Sequence, residues 1–291
     1  MVQGGGVLHI VATPIGNLGD LAPRVRDTLA GVDLIAAEDT RRCAQLLGHL
    51  GIAGVPAVSL HEHNESERVP EIIERLRTGG EVALVSDAGT PLVSDPGFLL
   101  VRAAREAGLT VRVVPGPCAA VAALAVSGLP PDRFVFEGFL PSRATARRRR
   151  LGELAVETRT LVLYESSHRI ADTVADIAAT LGGDRSVCLA RELTKLHEES
   201  VTLTAAGLGE WLAADDNRHR GEFVLVVGGT ETPPARYEVD LDRLLSVLLE
   251  HMPAKAVART AAELIGVARN EAYERILKIK EGNHRGAEGT E

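Results

Sequence analysis

The chain has 291 residues, of which 45% are apolar and 25% charged, and a formal net charge of −8. That length admits two packed domains, or two and a small appendage. The acidic balance excludes a protein coated in basic surface, so any nucleic-acid contact must rest on a local patch. Cys43, Cys118 and Cys188 lie far apart, which excludes a disulfide framework and a zinc spacing and fits a reducing, cytoplasmic compartment. No apolar run reaches the ~20 residues of a membrane span, and Met1–Gly6 lacks a charged leader.

Short β-branched runs alternate with longer helical patterns, which predicts an α/β architecture with mainly parallel strands. The first strands are expected at Val7–Ala12, Val32–Ala37, Pro56–Leu60, Glu81–Ser86 and Leu109–Val114, and the corner Val114-Pro115-Gly116-Pro117 closes the set. A small-residue helix, Cys118–Ser127, leads to a second series at Phe134–Gly138, Thr160–Glu165, Ser186–Arg191, Val201–Thr204 and Glu222–Gly228. The breaker Leu129-Pro130-Pro131 puts a domain boundary in or just after that helix, and Gly228–Pro234 reads as a linker. Three parts follow: an α/β domain over 1–122, a second over 123–232, and a helical segment over 233–291. In the last part, Ala254–Ile265 and Asn270–Ile279 flank Gly266, which is either a helix-turn-helix outline or a small helical cap. Lys255–Lys280 holds six Lys/Arg against three Glu, and a polar tail begins near Gly282.

Three strand-to-helix loops carry the chemical signal. Ala12–Asp20 is rich in Gly and Pro but is not G-x-G-x-x-G, so it reads as an ordinary turn or as a ligand loop outside the dinucleotide class. Ser86–Gly97 exceeds the usual ~2–6 residues of such a loop and sits where ligands collect on parallel sheets. Within it, Asp95-Pro96 is expected to be an N-cap and first helical residue. Val113–Ala120 leaves room for a flat ligand beside a helix N-terminus; Cys118 has no His near it in sequence and reads as a wall residue rather than a nucleophile.

Two further clusters stand out. His61, His63 and Glu65 alternate as on one face of an extended segment, an RNA-facing or dimer-facing edge in preference to a metal site. Arg143, Arg147, Arg148, Arg149 and Arg150 form a dense basic run without an acid, either a solvated face or a phosphate clamp.

Taken in order, Thr13–Leu18, Ala37–Arg41, His61–Glu65, Ser86–Gly97, Gly138–Pro141, Tyr164–Arg169 and Arg191–Lys195 resemble motifs of the tetrapyrrole-methylase-like superfamily of S-adenosylmethionine-dependent enzymes. The closer similarity is to the ribosomal RNA small subunit methyltransferase I branch, over Val7–Val227 and the helical tail. The resemblance implies two α/β domains with the cofactor in the cleft between them, and a homodimer. It also implies 2′-O-methylation of the decoding-centre cytidine of 16S rRNA in the small ribosomal subunit, a nucleotide that a separate enzyme methylates on its base. By motif, Pro14, Ile15, Asp87, Ala88, Gly89, Leu92, Val93, Ser94, Cys118 and Ala119 would line the cofactor pocket, with Tyr164-Glu165 and Arg191-Glu192 closing over it. The family more often carries Ser or Thr where this chain has Cys118.

Methyl transfer is an in-line displacement, so the protein's main task is positioning, which can supply ~7–11 kcal/mol. A ribose hydroxyl needs a proton acceptor within ~3 Å. Glu192 and Lys195 are the candidates, with Glu165 behind them; the alternative is an ion-pair lattice of Arg191, Glu192, Lys195 and Glu198. No metal is expected. A corrin or porphyrin-precursor methylase on the same scaffold and a non-catalytic RNA-binding module are the rival functions.

Overall fold

The structure, a computed structural model, describes residues 5–230 and 240–287, so part of the expected linker and the extreme termini lie outside the described residues. By packing, the chain divides into two compact units, 1–233 and 234–291.

Among the described residues, the first unit holds two five-stranded sheets. The first is built from β1 (Val7–Val11), α1 (Pro23–Gly31), β2 (Leu34–Ala37), α2 (Thr40–His49), β3 (Ala57–Ser59), α3 (Glu65–Arg77), β4 (Val82–Val85), α4 (Phe98–Glu106) and β5 (Thr110–Val114). Its strands are all parallel, in the order β3-β2-β4-β1-β5. Side chains alternate across a strand, so continuous apolar runs mean burial on both faces. Leu34, Ala36, Val82 and Leu84 accordingly pack with Ile72, Leu76 and Leu100 of α3 and α4. Ile35, Ala37, Ala83 and Val85 pack with Val25, Leu29, Cys43 and Leu47 of α1 and α2 on the other side.

The second sheet follows α5 (Ala119–Val126) and comprises β6 (Phe134–Phe139), α6 (Ala144–Leu154), β7 (Thr160–Ser166), α7 (Ile170–Leu181), β8 (Ser186–Arg191), β9 (Glu199–Thr204), α8 (Ala205–Ala213) and β10 (Glu222–Val227). Its order is β6-β7-β10-β8-β9, and only β6 and β7 pair in parallel. The expectation of mainly parallel strands therefore holds for the first sheet alone. The reason is the short β8–β9 connection, Glu192–Glu198, which allows only a hairpin. One face of this sheet packs on α6, α7 and α8 through Leu161, Leu163, Leu189 and Leu225. The other face receives α5, whose Ala120, Ala123 and Leu124 meet Val162, Cys188, Ala190 and Val226. The boundary expected at 122/123 falls inside this helix.

The second unit contains α9 (Leu241–Leu249), α10 (Ala254–Ile265) and α11 (Arg269–Ala287) around Leu245, Val257, Ala261, Ala272 and Ile276. Asp240 caps α9 by accepting from the amides of Asp242 and Arg243. Gly266 ends α10 at φ +74°, a left-handed position that suits glycine. The expected polar tail is helical as far as Ala287.

Candidate active site

The loops after β1, β4 and β5 meet at the carboxyl edge of the first sheet and are tied to each other through backbone groups. Thr13 and Gly89 exchange amide–carbonyl bonds at 2.8 and 3.1 Å, and the Thr90 hydroxyl donates to the Pro117 carbonyl at 3.0 Å. A side chain on Gly116 would put its Cβ 2.9 Å from that of Ala12, so glycine allows the third loop to approach the first. Within the second loop, Leu92 and Ser94 adopt φ of +75° and +66°. Such left-handed non-glycine residues cost about 1–3 kcal/mol each and concentrate where a site needs a fixed shape.

That loop also corrects two expectations. Asp95 is not an N-cap, because α4 begins later, after Gly97 at φ +118°. The orphan amides of Leu99 and Leu100 are instead capped by Glu65 Oε1 at 2.8 and 3.3 Å, so Glu65 is a buried structural group and not part of an exposed edge. His61 and His63 meet edge to face, 6.0 Å apart. Among the described residues, no group of three or more His, Cys, Asp or Glu could hold a metal ion.

A cavity of about 450 Å³ lies between these loops and the α5 face of the second sheet. Of the expected cofactor contacts, Ile15, Asp87, Ala88, Gly89, Val93 and Ser94 line it from the first sheet. Cys118, Ala119 and Tyr164 line it from α5 and β7. Three expected contacts are absent from its lining. Pro14 lines a neighbouring cavity, Leu92 packs against the first-sheet core, and Arg191 donates to the Asn217 carbonyl at 2.7 Å. Strand alternation explains the last case, because Ala190 takes the cavity face and Arg191 the opposite one.

Glu38 and Asp95, not foreseen as site residues, join Asp87 on one wall. Asp87 Oδ1 accepts from the Asp39 amide at 3.0 Å, its Oδ2 lies 3.4 Å from Arg42 Nε, and its own amide donates to Glu38 Oε2 at 3.3 Å. Burial pushes Asp95 up to about 6, with the Glu38 and Asp87 charges adding to it and a bond to Ser86 opposing. Burial likewise raises Glu38, despite the Asp87 amide. Three carboxylates on one half-buried wall favour a cationic ligand. Opposite, the Tyr164 hydroxyl accepts from the Ala120 amide at 3.2 Å, and burial, followed by the neighbouring Cys118, raises its phenol. Phe136 and Phe139 meet the Tyr164 ring edge to face at 5.1 and 5.6 Å, completing an aromatic wall.

The candidate proton acceptors have other roles. Lys195 Nζ donates to Glu192 Oε1 and Glu222 Oε2, each at 2.8 Å. Burial lowers the ammonium, but these two bonds raise it further, so Lys195 is charged and cannot accept a proton. Burial raises Glu192, yet bonds from Lys195 and the Glu222 amide win and hold it below its ordinary value. Glu165 also borders the cavity, but its fully buried carboxylate accepts from the Ser166 amide, Arg169 and Thr173. It is a structural group, not a base. The Lys195 stem also closes the site: a Cβ on Gly16 would lie 2.4 Å from Lys195 Cγ, so the first loop rests directly on it.

The arginine run divides. Arg147 is buried, with Nε 2.6 Å from Asp176 Oδ2, and so cannot grip a phosphate. Helical spacing turns it inward onto α7 while its neighbours face out. Arg148 bonds the other Asp176 oxygen at 2.6 Å but stays exposed, and Arg150 is held by Glu137 and Glu153. Arg143 and Arg149 are exposed, the latter 3.8 Å from Glu153.

Residues 7–209 match the family described as Tetrapyrrole (Corrin/Porphyrin) Methylases, and residues 237–280 match the RsmI C-terminal HTH domain. A ribosomal RNA small subunit methyltransferase I of Xylella fastidiosa is 53% identical over 92% of this chain and 98% of its own. The protein of that name from Haemophilus influenzae is 49% identical over 92% and 95%. Among solved structures, the methyltransferase CobJ aligns with TM-score 0.57 at 20% identity, over 78% of this chain and 95% of that one. The uroporphyrin-III C-methyltransferase of Thermus thermophilus, complexed with S-adenosyl homocysteine, aligns with TM-score 0.52 at 18% identity, over 77% and 97%; both likenesses concern the fold. With seven motifs in order, a cleft beneath them and relatives matched nearly end to end, the chain belongs to the ribosomal RNA small subunit methyltransferase I family of tetrapyrrole methylases.

Proposed function

We propose that the protein transfers a methyl group from S-adenosylmethionine to the 2′-hydroxyl of the decoding-centre cytidine of 16S rRNA, as a cytoplasmic homodimer acting on the small ribosomal subunit. The observation that carries this reading is the cavity in which a wall of carboxylates, Glu38, Asp87 and Asp95, faces Tyr164 and Lys195. When bound, the cofactor supplies an electrophilic methyl on a positively charged sulfur, and the residues present fit such a group. The carboxylate wall favours its cationic end, and Ile15, Val93 and Val224 offer apolar surface to its flat portion.

Lys195, charged and fixed by Glu192 and Glu222, is suited to hold the hydroxyl oxygen and stabilise negative charge as the proton leaves. Asp95, which burial raises to about 6, is suited to receive that proton. The clamp reduces to the exposed arginines Arg143, Arg148 and Arg149, which retain solvent-facing guanidinium groups for RNA phosphates. Free Cys43, Cys118 and Cys188 support a reducing compartment, and exposed Val113 on edge strand β5 and Val121 on α5 support self-association. No helix among the described residues is long and apolar enough to cross a membrane.

The test is incorporation of tritiated methyl into small ribosomal subunits, followed by mapping of the labelled nucleotide. Label on the ribose of one decoding-centre cytidine is expected; label on a base, or on no RNA, would overturn the assignment.

A further inference from the structure

A second cavity, of about 420 Å³, opens between α2 and the loop after β1, beside the methyl-transfer site described above. The two cavities are neighbours. Thr13, one half of the Thr13–Gly89 bridge, lines the second, whereas Gly89, the other half, lines the first. Asp87 lines both.

The second cavity combines an apolar surface with a polar rim. Cys43, Leu46 and Val85 provide the surface, and Leu18 adds a side chain left 45% exposed. Arg42, Gln45 and His49, spaced three and four apart, project from the same side of α2 and are all exposed. Among the described residues, Arg42 makes one ion pair, Nε to Asp87 at 3.4 Å, and its side chain is 61% exposed, so the outer edge of the guanidinium remains available. In a chain with net charge −8, a guanidinium whose outer edge is exposed beside apolar surface offers a local site for an anion. The ligand it fits has a flat face for Leu18 and Leu46, polar edges for Gln45, and an anion for Arg42 and His49; a nucleotide has all three.

We propose that this cavity seats a nucleotide of the substrate RNA next to the one whose ribose enters the first cavity, so that the strand straddles the Thr13–Gly89 bridge. The inference rests on the reading of the protein as an RNA methyltransferase. It assigns to Arg42, Gln45 and His49 a positioning role: gripping the flanking nucleotide fixes where the reacting ribose lies. The shared carboxylate makes the two cavities interdependent, because a phosphate drawing on Arg42 competes with Asp87 for the same cation.

The test uses the full chain and small ribosomal subunits. A photo-crosslinking phenylalanine analogue in place of Gln45 should crosslink to RNA at nucleotides adjoining the methylated one. In parallel, Gln45→Glu and His49→Glu should raise KM for subunits about tenfold, equal to ~1.4 kcal/mol, and lower kcat as the reacting ribose loses its fixed place, with cofactor Kd unchanged. A KM equal to wild type in both variants, or crosslinks only to a ribosomal protein or a second copy of this chain while methylation proceeds, would overturn the proposal. Failure of wild-type protein to methylate any subunit RNA would instead overturn the parent reading, so the two failures are distinguishable.

Discussion

Arg147→Ala separates a buried strut from an RNA contact within one run of arginines. The Arg147 side chain is only 4% exposed; its Nε holds Asp176 Oδ2 at 2.6 Å and its Nη1 donates to the Ser142 carbonyl at 3.3 Å. Removing one partner of a buried pair costs about 3–5 kcal/mol. Arg148 still holds the other Asp176 oxygen, which places the loss near the lower end, about 3 kcal/mol. For a body of this size that lowers Tm by roughly 6–12 °C. Arg149→Ala removes a side chain that is 82% exposed with one long contact to Glu153, and should cost about 0.5 kcal/mol or less.

The pH dependence carries a sign of its own. Burial raises Asp176, but bonds from Arg148 and Arg147 outweigh it and leave the group lowered. Its contribution to stability is therefore present above the unfolded carboxylate range and lost as pH falls through the folded value. The gap between wild type and Arg147→Ala should narrow in acid. Calorimetric melting from pH 3 to 8, with filter binding of RNA fragments at pH 7, measures both effects. An Arg147→Ala protein as stable as wild type, losing RNA affinity as Arg149→Ala does, would refute the burial argument.

Three other perturbations bear on the cavity. Asp95, raised to about 6, binds a proton in the folded state that the unfolded chain has already released, so its ionisation lowers stability as pH rises through about 4 to 6. Asp95→Asn should remove that slope in denaturant titrations and also abolish an acidic limb near pH 6 in kcat; an unchanged limb removes Asp95 as proton acceptor. Gly16→Ala should push the Lys195 stem aside and lower kcat/KM about tenfold, yet have little further effect in a Lys195→Ala background. Fully additive losses would contradict contact between the two. Asp87→Ala, which frees Arg42 and the Asp39 amide, should weaken cofactor binding about tenfold in titration calorimetry, and equal affinity would count against this wall.

All ten described strands were legible in the sequence because β-branched runs between Gly and Pro leave little choice of element. Their directions in the second sheet were not, since a period of two says which face a residue takes but not which neighbour it pairs with. The three loops were legible for a local reason: glycine and proline fix the turns that bring Thr13, Gly89 and Pro117 together. Asp95-Pro96 imitated a cap because Ser94 at φ +66° prolongs the loop in a way that no serine announces. For Arg191 the signal was present in the alternation itself, since Ala190 already occupies the cavity face. Arg147 is different: its partner Asp176 lies on another helix, and that proximity exists only after folding.

In the proposed reading, the cleft between the Asp87–Ser94 loop and Tyr164 holds the methyl donor. A crystal structure of the protein with S-adenosylhomocysteine tests it most directly. Density is expected against Ile15, Asp87 and Ala119, with the sulfur on the side of the carboxylate wall formed by Glu38, Asp87 and Asp95. Density elsewhere on the chain, with this cleft filled only by water, would contradict it.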